Sequence, residues 1–201
     1  MSPGRLETFA DGVLAIAATL LILNVDAQVT DGADPLAERL LHIWPSYAGY
    51  VVSFITIGII WINHHTLMAQ IERVDRIFLV LNVGLLVCVA FIPFPTRLIA
   101  EHLRTHDARA AALAYGITLT LTAVMFNAVW FYAMRGRRLL RDDLDQRVVR
   151  GITRSYLPGP WIYLAATLVA LGSPTASVVL YAAIAAFYVV ESSLFARSAP
   201  R

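Results

Sequence analysis

The chain has 201 residues, of which 58% are hydrophobic and 15% charged, and its formal net charge is +2. Soluble domains are about 45–50% apolar, and here the charges lie between long apolar stretches. The composition therefore excludes an ordinary soluble domain and favours a polytopic membrane protein. The small net charge gives no indication of a nucleic-acid partner, and the single cysteine, Cys88, cannot form an intrachain disulfide.

Apolar segments of helical length follow one another along the whole chain and predict an all-α protein with one transmembrane domain over residues 1–201. The first segment carries no charge from Gly12 to Val25. The uncharged run from Ser155 to Val190 is too long for one helix and is divided at Gly172 and Pro174. The six predicted transmembrane helices cover about 5–25, 36–66, 77–98, 110–134, 156–171 and 175–195.

The arginines predict the orientation of these helices. All sixteen basic residues are arginine, and with the N-terminus inside, twelve lie in inner segments and four in outer loops. This bias matches the positive-inside rule and places both termini in the cytoplasm. Residues 135–154 are rich in arginine, but three aspartates are interleaved. They therefore predict an amphipathic cytoplasmic connector rather than a nucleic-acid patch.

The first predicted helix has two different faces when its residues are placed at about 100° intervals. Asp11 lies on the face opposite a bulky stripe. Membrane helices pack on each other through small residues, so this stripe is either an ordinary packing face or, in a symmetric oligomer, a pore constriction. The stripe consists of Phe9, Gly12, Ile16, Thr19, Leu20 and Leu23.

Polar residues at the inner ends of the first two predicted helices share one membrane depth. The carboxylate of Asp11 needs a partner near hydrocarbon, and Arg5, His64 and His65 are the candidates. Trp61 is expected to donate its indole N–H to the same group, which we call the polar clasp. Its role is predicted to be mainly structural, with a proton relay left open. A metal site is disfavoured because adjacent histidines point about 100° apart on a helix.

Motifs of hydrolytic or transfer enzymes are absent from the sequence, which has no HExxH, GxSxG, P-loop or cysteine-rich cluster. The prediction is therefore a protein that is not an enzyme, with no catalytic residue and no cofactor. The sequence also lacks matching glycine-interrupted half-helices, which would indicate a secondary transporter.

The segment from Arg5 to Leu21 reads R-x-x-x-F-A-D-G-V-x-A-I-x-x-T-L-L. It resembles the signature of the endosomal and lysosomal potassium channel family, named after transmembrane protein 175, in which R-x-x-x-F-S-D-G precedes V-x-A-I-x-x-T-L-L. The W-x-x-H-H pattern from Trp61 to His65 and the six-helix length also match bacterial members of this family. Ala10 departs from the usual serine, which puts one hydroxyl contact in question but not the fold.

The resemblance implies a homotetramer in the bacterial plasma membrane, in contact with lipid and monovalent cations, that conducts K⁺ without the TVGYG filter. It assigns the hydrophobic constriction to Ile16, Leu20 and Leu23, with Ile16 at the narrowest point, and the selectivity layer to Thr19. Asp26 would either concentrate cations at the outer mouth or be an ordinary loop acid. The implied polar network behind the pore contains Arg5, Asp11, Trp61, His64 and His65.

The predicted function is therefore a potassium-selective leak channel whose pore is lined by the first helix. Two alternatives stay open from the residues alone. One is a proton-coupled secondary transporter that uses Asp11, His64 and Glu191. The other is a non-conducting membrane scaffold in which the bulky stripe only packs.

Overall fold

The structure, a computed structural model, describes residues 2–26 and 35–198, without the side chains of Asp26 and residues 190–198. In these ranges the regular structure is helical, apart from one isolated antiparallel bridge between Ile71 and Leu140. The helices are α1 (Pro3–Leu20), α2 (Leu23–Asp26), α3 (Leu36–His42), α4 (Trp44–Met68), α5 (Arg76–Phe91), α6 (Pro93–His102), α7 (Ala108–Met134), α8 (Gln146–Tyr156), α9 (Gly159–Val169) and α10 (Pro174–Ser198).

Four helical stretches in the described part are long and apolar enough to cross a membrane: Pro3–Val25, Trp44–Met68, Arg76–His102 and Ala108–Arg137. The helix α9 has 11 residues and spans about 16 Å, whereas a hydrocarbon core is about 30 Å thick. The helix α10 has 25 residues, Pro174–Ser198, and its stretch Pro174–Val189 is apolar. The described part is thus a bundle of helices, four of which are long and apolar enough to span a membrane.

Prolines explain two breaks that divide predicted single helices. Proline lacks a backbone N–H and is tolerated only in the first turn of a helix. Pro93 begins α6, which continues to His102 and so extends past the predicted end of the third span. Ile43 separates α3 from α4, and Pro45 lies in the first turn of α4. The second predicted helix, 36–66, is therefore two helices.

The helix α7 lies at the centre of the bundle, where it packs against α5, α6, α9 and α10. Its buried side chains include Tyr115 and Trp130. Gly116 allows the closest approach, because a Cβ atom there would overlap the Tyr181 hydroxyl and the Thr167 side chain. This glycine therefore brings α9 and α10 against α7.

The predicted connector begins with a reversal of the chain at the end of α7. Gly136 and Arg137 both have positive φ values, 65° and 55°, and turn the chain back toward the loop between α4 and α5. Leu139 and Leu140 are buried there, and the Leu139 carbonyl accepts from the Glu72 N–H at 2.9 Å. The arginine-rich segment therefore packs against the bundle before α8 begins.

Candidate functional site

The helix α1 has one buried face. Its buried residues recur every three or four positions, the spacing of one helical face, and pack against α4 and α5. With the residue that follows the helix, they are Leu6, Ala10, Leu14, Ala17 and Leu21. Two small alanines in this row allow close packing between helices.

The opposite face of α1 is exposed in the single chain. It contains the predicted stripe, in which Ile16 is 61% and Leu23 is 58% exposed. A bulky apolar row without a partner in its own chain must meet lipid or another chain. Its exposed residues are Phe9, Gly12, Ile16, Thr19, Leu20 and Leu23.

The Thr19 hydroxyl lies on this exposed face and donates to the Ile16 carbonyl at 2.9 Å. A hydroxyl has one proton and two acceptor lone pairs. Because the proton is directed to the backbone, the oxygen faces the exposed side as an acceptor. An uncharged acceptor of this kind can interact with a cation that keeps most of its water.

A tighter turn interrupts the first spanning helix after Leu20. The N–H groups of Leu21 and Ile22 bond to carbonyls three residues earlier, at 3.4 and 3.3 Å, which is the 3₁₀ pattern. The Asn24 side chain then donates to the Pro93 carbonyl at 3.0 Å. This bond attaches the end of the helix to the break between α5 and α6, and Leu23 stays on the exposed face.

Two polar contacts join α1 to the end of α4. The indole Nε1 of Trp61 donates to Asp11 Oδ1 at 2.9 Å, the bond expected of the polar clasp. One helical turn away, His65 Nδ1 lies 2.7 Å from Glu7 Oε1. The side chains of His65 and Glu7 are 65% and 29% exposed, so this pair contributes little to stability in water.

His64 points away from α1 and is buried, with its Nε2 3.1 Å from Asn82 Oδ1 on α5. The Asn82 amide donates to the Phe78 carbonyl at 2.8 Å, so its oxygen is the acceptor for the histidine. His64 therefore carries its proton on Nε2, and its buried Nδ1 has no hydrogen-bond partner among the described residues. This histidine connects α4 to α5.

The remaining predicted site residues lie apart from these contacts. Arg5 is exposed on α1, and the side chain of Asp26, like that of Glu191, lies outside the described part. The sequence interpretation did not include Glu7 and Asn82. Glu7 precedes Asp11 by one helical turn, and Asn82 is the one amide in an apolar helix, so both carried a detectable signal.

Asp75 occupies the same end of the bundle and caps α5. Its carboxylate accepts from the Phe78 N–H at 2.8 Å and from the Tyr132 hydroxyl at 2.7 Å. The Phe78 bond, followed by the Tyr132 bond, lowers the pKa of Asp75 below its ordinary value. Arg138 also donates to the Tyr132 hydroxyl, at 3.3 Å, and so joins the connector to this cap.

No group of three or more His, Cys, Asp and Glu side chains in the described ranges is placed to hold a metal ion. The polar contacts at the end of α4 instead fix how α1 lies against α4, while the exposed face of α1 offers hydroxyl and apolar groups. The exposed apolar face is suited to contact lipid or another chain.

Comparison with known proteins reveals extensive similarity. The family model of the endosomal/lysosomal potassium channel TMEM175 matches residues 5–93. A potassium channel of Chamaesiphon minutus is 38% identical over 192 residues, which are 94% of this chain and 95% of that protein. A potassium channel of Streptomyces collinus is 43% identical over 148 residues, which are 73% of this chain and 72% of that protein.

The fold has a close counterpart among solved structures. The crystal structure of a lysosomal potassium-selective channel TMEM175 homolog from Chamaesiphon minutus superposes with a TM-score of 0.86 at 36% sequence identity. The match covers 94% of this chain and 97% of that chain. The similarity in sequence and structure therefore extends over the predicted pore helix and the helices behind it.

Proposed function

The chain belongs to the family of the endosomal/lysosomal potassium channel TMEM175, and we propose that it forms a potassium-selective leak channel. Members of this family are ion channels, so the chain is not an enzyme. In the proposal four copies surround one pore in the bacterial plasma membrane, with both termini in the cytoplasm. The permeant cation is the cargo, and no cofactor is required.

The exposed face of α1 is the observation on which the proposal depends. The buried face of this helix is filled by α4 and α5, whereas no helix of the described ranges covers Ile16, Thr19 and Leu23. Around a fourfold axis the same face of each copy meets its equivalents, because cyclic symmetry repeats each side chain in a ring. An exposed stripe on the N-terminal helix is therefore suited to line the pore.

Two chemically different layers would act on the ion. Rings of Ile16, Leu20 and Leu23 form an apolar constriction that resists wetting, with Ile16 at the narrowest point. The ring of Thr19 offers four uncharged acceptors to a hydrated cation, which supports a modest preference for K⁺ over Na⁺. Asp26, just beyond the constriction in the sequence, is proposed to raise the cation concentration at the outer mouth.

The polar clasp is proposed to hold α1 at its angle to the pore. The Trp61–Asp11 bond and the Glu7–His65 pair connect α1 to α4 at one end, and the Asn24–Pro93 bond holds the other end. With both ends fixed, the exposed stripe keeps a constant direction. Arg5 and His64 complete the proposed network, with Arg5 free to reach a neighbouring copy and His64 bonded to Asn82.

A single domain of six transmembrane helices is also part of the proposal. The four long helices cross the membrane, and α9 and α10 are proposed as the fifth and sixth spans. The short α9 follows α8 after Tyr156, and a membrane thins locally around a short span at a modest cost. An even number of spans agrees with the inner position of both termini predicted from the arginines.

Ion flux from the purified protein in liposomes tests the proposal. Vesicles loaded with K⁺, Na⁺ or Cs⁺ should release K⁺ and Cs⁺ faster than Na⁺, and the reversal potential should follow the K⁺ gradient. Conductance at transporter turnover, or a dependence of K⁺ movement on a proton gradient, would favour the transporter. No flux from an intact tetramer would favour the scaffold.

Thr19→Val tests the selectivity layer, because valine keeps the shape and removes the acceptor. We expect the K⁺/Na⁺ permeability ratio to fall toward one while K⁺ still permeates. Thr8→Val is the matched control, since Thr8 lies on the same face three turns earlier and also donates to a backbone carbonyl. An unchanged ratio in Thr19→Val, or an equal change in Thr8→Val, would remove Thr19 from the selectivity layer.

A further inference from the structure

A cleft of about 180 Å³ lies at the end of α4 opposite the polar clasp. It is bounded by the first turns of α4 and α10, the end of α6 and the first part of α7. All four of these stretches belong to apolar helices, so the cleft lies at membrane depth, near one surface of the bilayer. Its lining residues include Ala48, Val52, Ile99, Val178, Val179 and Ala182.

The interior surface of this cleft is almost entirely apolar. Four hydroxyl groups in its walls belong to buried residues and are bonded within the protein. The Ser53 hydroxyl lies 2.8 Å from that of Thr96 and 3.0 Å from that of Tyr115, and the Tyr181 hydroxyl is bonded to α9 at 3.3 Å. The remaining lining hydroxyl, that of Thr175, belongs to an exposed residue at the start of α10. The interior therefore offers almost no polar partner to an occupant.

The volume and the lining of the cleft favour hydrocarbon over water. One water needs roughly 10–15 Å³ and two to four polar partners, whereas an apolar cavity of about 150 Å³ stays dry and binds benzene. The cleft is also partly open, since Trp44 and Val179 in its lining are 48% and 61% exposed. A hydrocarbon chain from the surrounding bilayer can therefore enter it from the side.

Arg104 follows α6 at the rim of this cleft. Its guanidinium carbon lies over the Trp44 ring, 5.1 Å from the ring centre. A guanidinium has five N–H donors that match phosphate, and contact with a ring face does not use them. In the described ranges no carboxylate pairs with Arg104, because Glu101 accepts from Arg97 at 2.6 Å and Asp107 pairs with a neighbouring histidine. The rim of the cleft thus carries a positive charge that is suited to bind an anion.

We propose that this cleft holds one acyl chain of an anionic phospholipid, whose phosphate binds Arg104. Trp44 joins the two parts of the site, because it lines the cleft and also contacts Arg104. Tryptophan and arginine are both suited to the level of the lipid headgroups. A phospholipid combines an anion with a hydrocarbon chain in the same way, whereas a free phosphate would leave the cleft empty and a neutral hydrocarbon would leave the arginine without an anion.

Photolabelling of the full-length protein in phosphatidylcholine liposomes tests the proposal without any measurement of conduction. The probe is phosphatidylglycerol with a diazirine near the end of one acyl chain, and the matched probe is phosphatidylcholine with the same chain. We expect both probes to label peptides from residues 44–53, 96–103 and 175–182. Phosphatidylglycerol should label them about fivefold more strongly, a factor that corresponds to about 1 kcal/mol, the contribution of one arginine beside anionic lipid.

Arg104→Gln tests the phosphate contact. In this variant phosphatidylglycerol should label the cleft no more strongly than phosphatidylcholine, because the remaining attraction is that of the chain. Arg109→Gln is the matched control, since Arg109 is an exposed arginine at the start of α7 that does not line the cleft. An unchanged headgroup preference in Arg104→Gln, or an equal loss in Arg109→Gln, would overturn the assignment of the phosphate to Arg104.

Ala182→Leu tests the position of the acyl chain. It adds three carbons at a lining position on α10, and labelling by both probes should fall at least about tenfold because the leucine takes the space of about three methylene groups of the chain. Ala183→Leu is the matched control, because this neighbouring alanine is exposed and does not line the cleft. If Ala182→Leu does not yield a monodisperse protein, Ala48→Leu fills the cleft from α4, where the alanine is exposed.

Three further results would overturn the inference. Labelling that cannot be saturated, or that lies mainly outside these peptides, would show ordinary contact with the bilayer. Full labelling of the filled variants would place the acyl chain elsewhere. No labelling of these peptides in the wild-type protein would leave a second copy of the chain as the cover of the cleft. A channel that conducts normally in any of these cases would leave the proposed function intact.

Discussion

The helical stretches that contain α1 and α7 have similar mean hydropathy, 1.9 and 1.6, but different surroundings. In the most apolar window of each stretch, 28% of residues are buried for Pro3–Val25 and 50% for Ala108–Arg137. The α7 helix buries residues over about half of its circumference, including Tyr115 and Trp130. The α1 helix buries one stripe and leaves Ile16 and Leu23 uncovered.

The polar groups of α7 and α1 also differ in whether their own chain supplies a partner. On α7 the Trp130 indole donates to Thr153 at 2.9 Å, and the Tyr115 hydroxyl lies 3.0 Å from the Ser53 hydroxyl, so both partners belong to the same chain. On α1 the Thr19 hydroxyl donates to its own helix, and its oxygen accepts no hydrogen bond from a residue in the described ranges. A helix satisfied by its own chain supports the fold, whereas one with an uncovered face is available to other copies.

A methyl group added at Gly116 on α7 should have the largest effect on stability. Gly116→Ala places a Cβ atom against the Tyr181 hydroxyl and the Thr167 side chain, and such overpacking costs about 1–3 kcal/mol or more. We expect little folded protein and a lower unfolding midpoint by scanning fluorimetry. Gly12→Ala is the control, since a Cβ atom there meets nothing within 4 Å. Equal loss of stability in both variants would contradict the conclusion that α7 is closely packed at Gly116 while α1 is uncovered at Gly12.

Ile16→Asn tests the uncovered face directly. A polar ring at the constriction should admit water, so ion flux should rise about tenfold, as a barrier lower by about 1.4 kcal/mol would produce, and K⁺ selectivity should weaken. The chain should still fold, because Ile16 is 61% exposed. Ile77→Asn is a matched control on α5 with 57% exposure. Unchanged flux from an intact Ile16→Asn tetramer would contradict the pore assignment.

Asp11→Ala tests whether the polar clasp acts on assembly. Loss of the acceptor for the Trp61 indole removes one of the two polar contacts that hold this end of α1, so the tetramer should dissociate more readily while permeation through intact tetramers changes less. The fraction of tetramer by native mass spectrometry and the flux per tetramer measure the two effects. Trp61→Phe should reproduce the result from the other partner. A fully stable tetramer in both variants would exclude the clasp from assembly.

The smallest expected effect is the pH dependence of the cap on α5. A carboxyl whose pKa is lowered by folding stabilises the fold above its unfolded pKa of about 3.9, and this contribution is lost as pH falls through the folded-state pKa. Asp75→Ala should therefore cost about 0.5–2 kcal/mol near neutral pH, and less in acid.

Tyr132→Phe should show part of the same pH dependence, because the Phe78 N–H still binds the Asp75 carboxylate in that variant. The unfolding midpoint measured from pH 7 down to pH 3 gives the comparison. A difference between wild type and Asp75→Ala that stays constant over this range would contradict the role of the ionised carboxylate.

Partners of polar groups were harder to predict than the faces of helices. The structure pairs Asp11 with the Trp61 indole, as expected. Arg5, His64 and His65 were the other candidate partners, and of these His65 binds Glu7 instead. The two histidines are adjacent in sequence but bond to different helices, since neighbouring side chains leave a helix in different directions. Sequence spacing restricts which face a residue occupies, and it leaves open which helix faces it.

Breaks in helices were likewise predicted only in part. Prolines in the third span predicted a kink or an end, and the structure has a break at Ile92 followed by the ten helical residues Pro93–His102. The break before Trp44 was not predicted, because Pro45 is equally compatible with the first turn of a helix and with a loop.

The amino-acid sequence alone determined that the protein is a bundle of apolar helices, that α1 has a bulky stripe opposite Asp11, and which family it resembles, since hydropathy and helical period depend only on the order of residues. Only the tertiary structure decided which stripe of α1 is covered and which partners Asp11, His64 and His65 take. Those features depend on distances between segments far apart in the chain, which packing of the whole bundle sets.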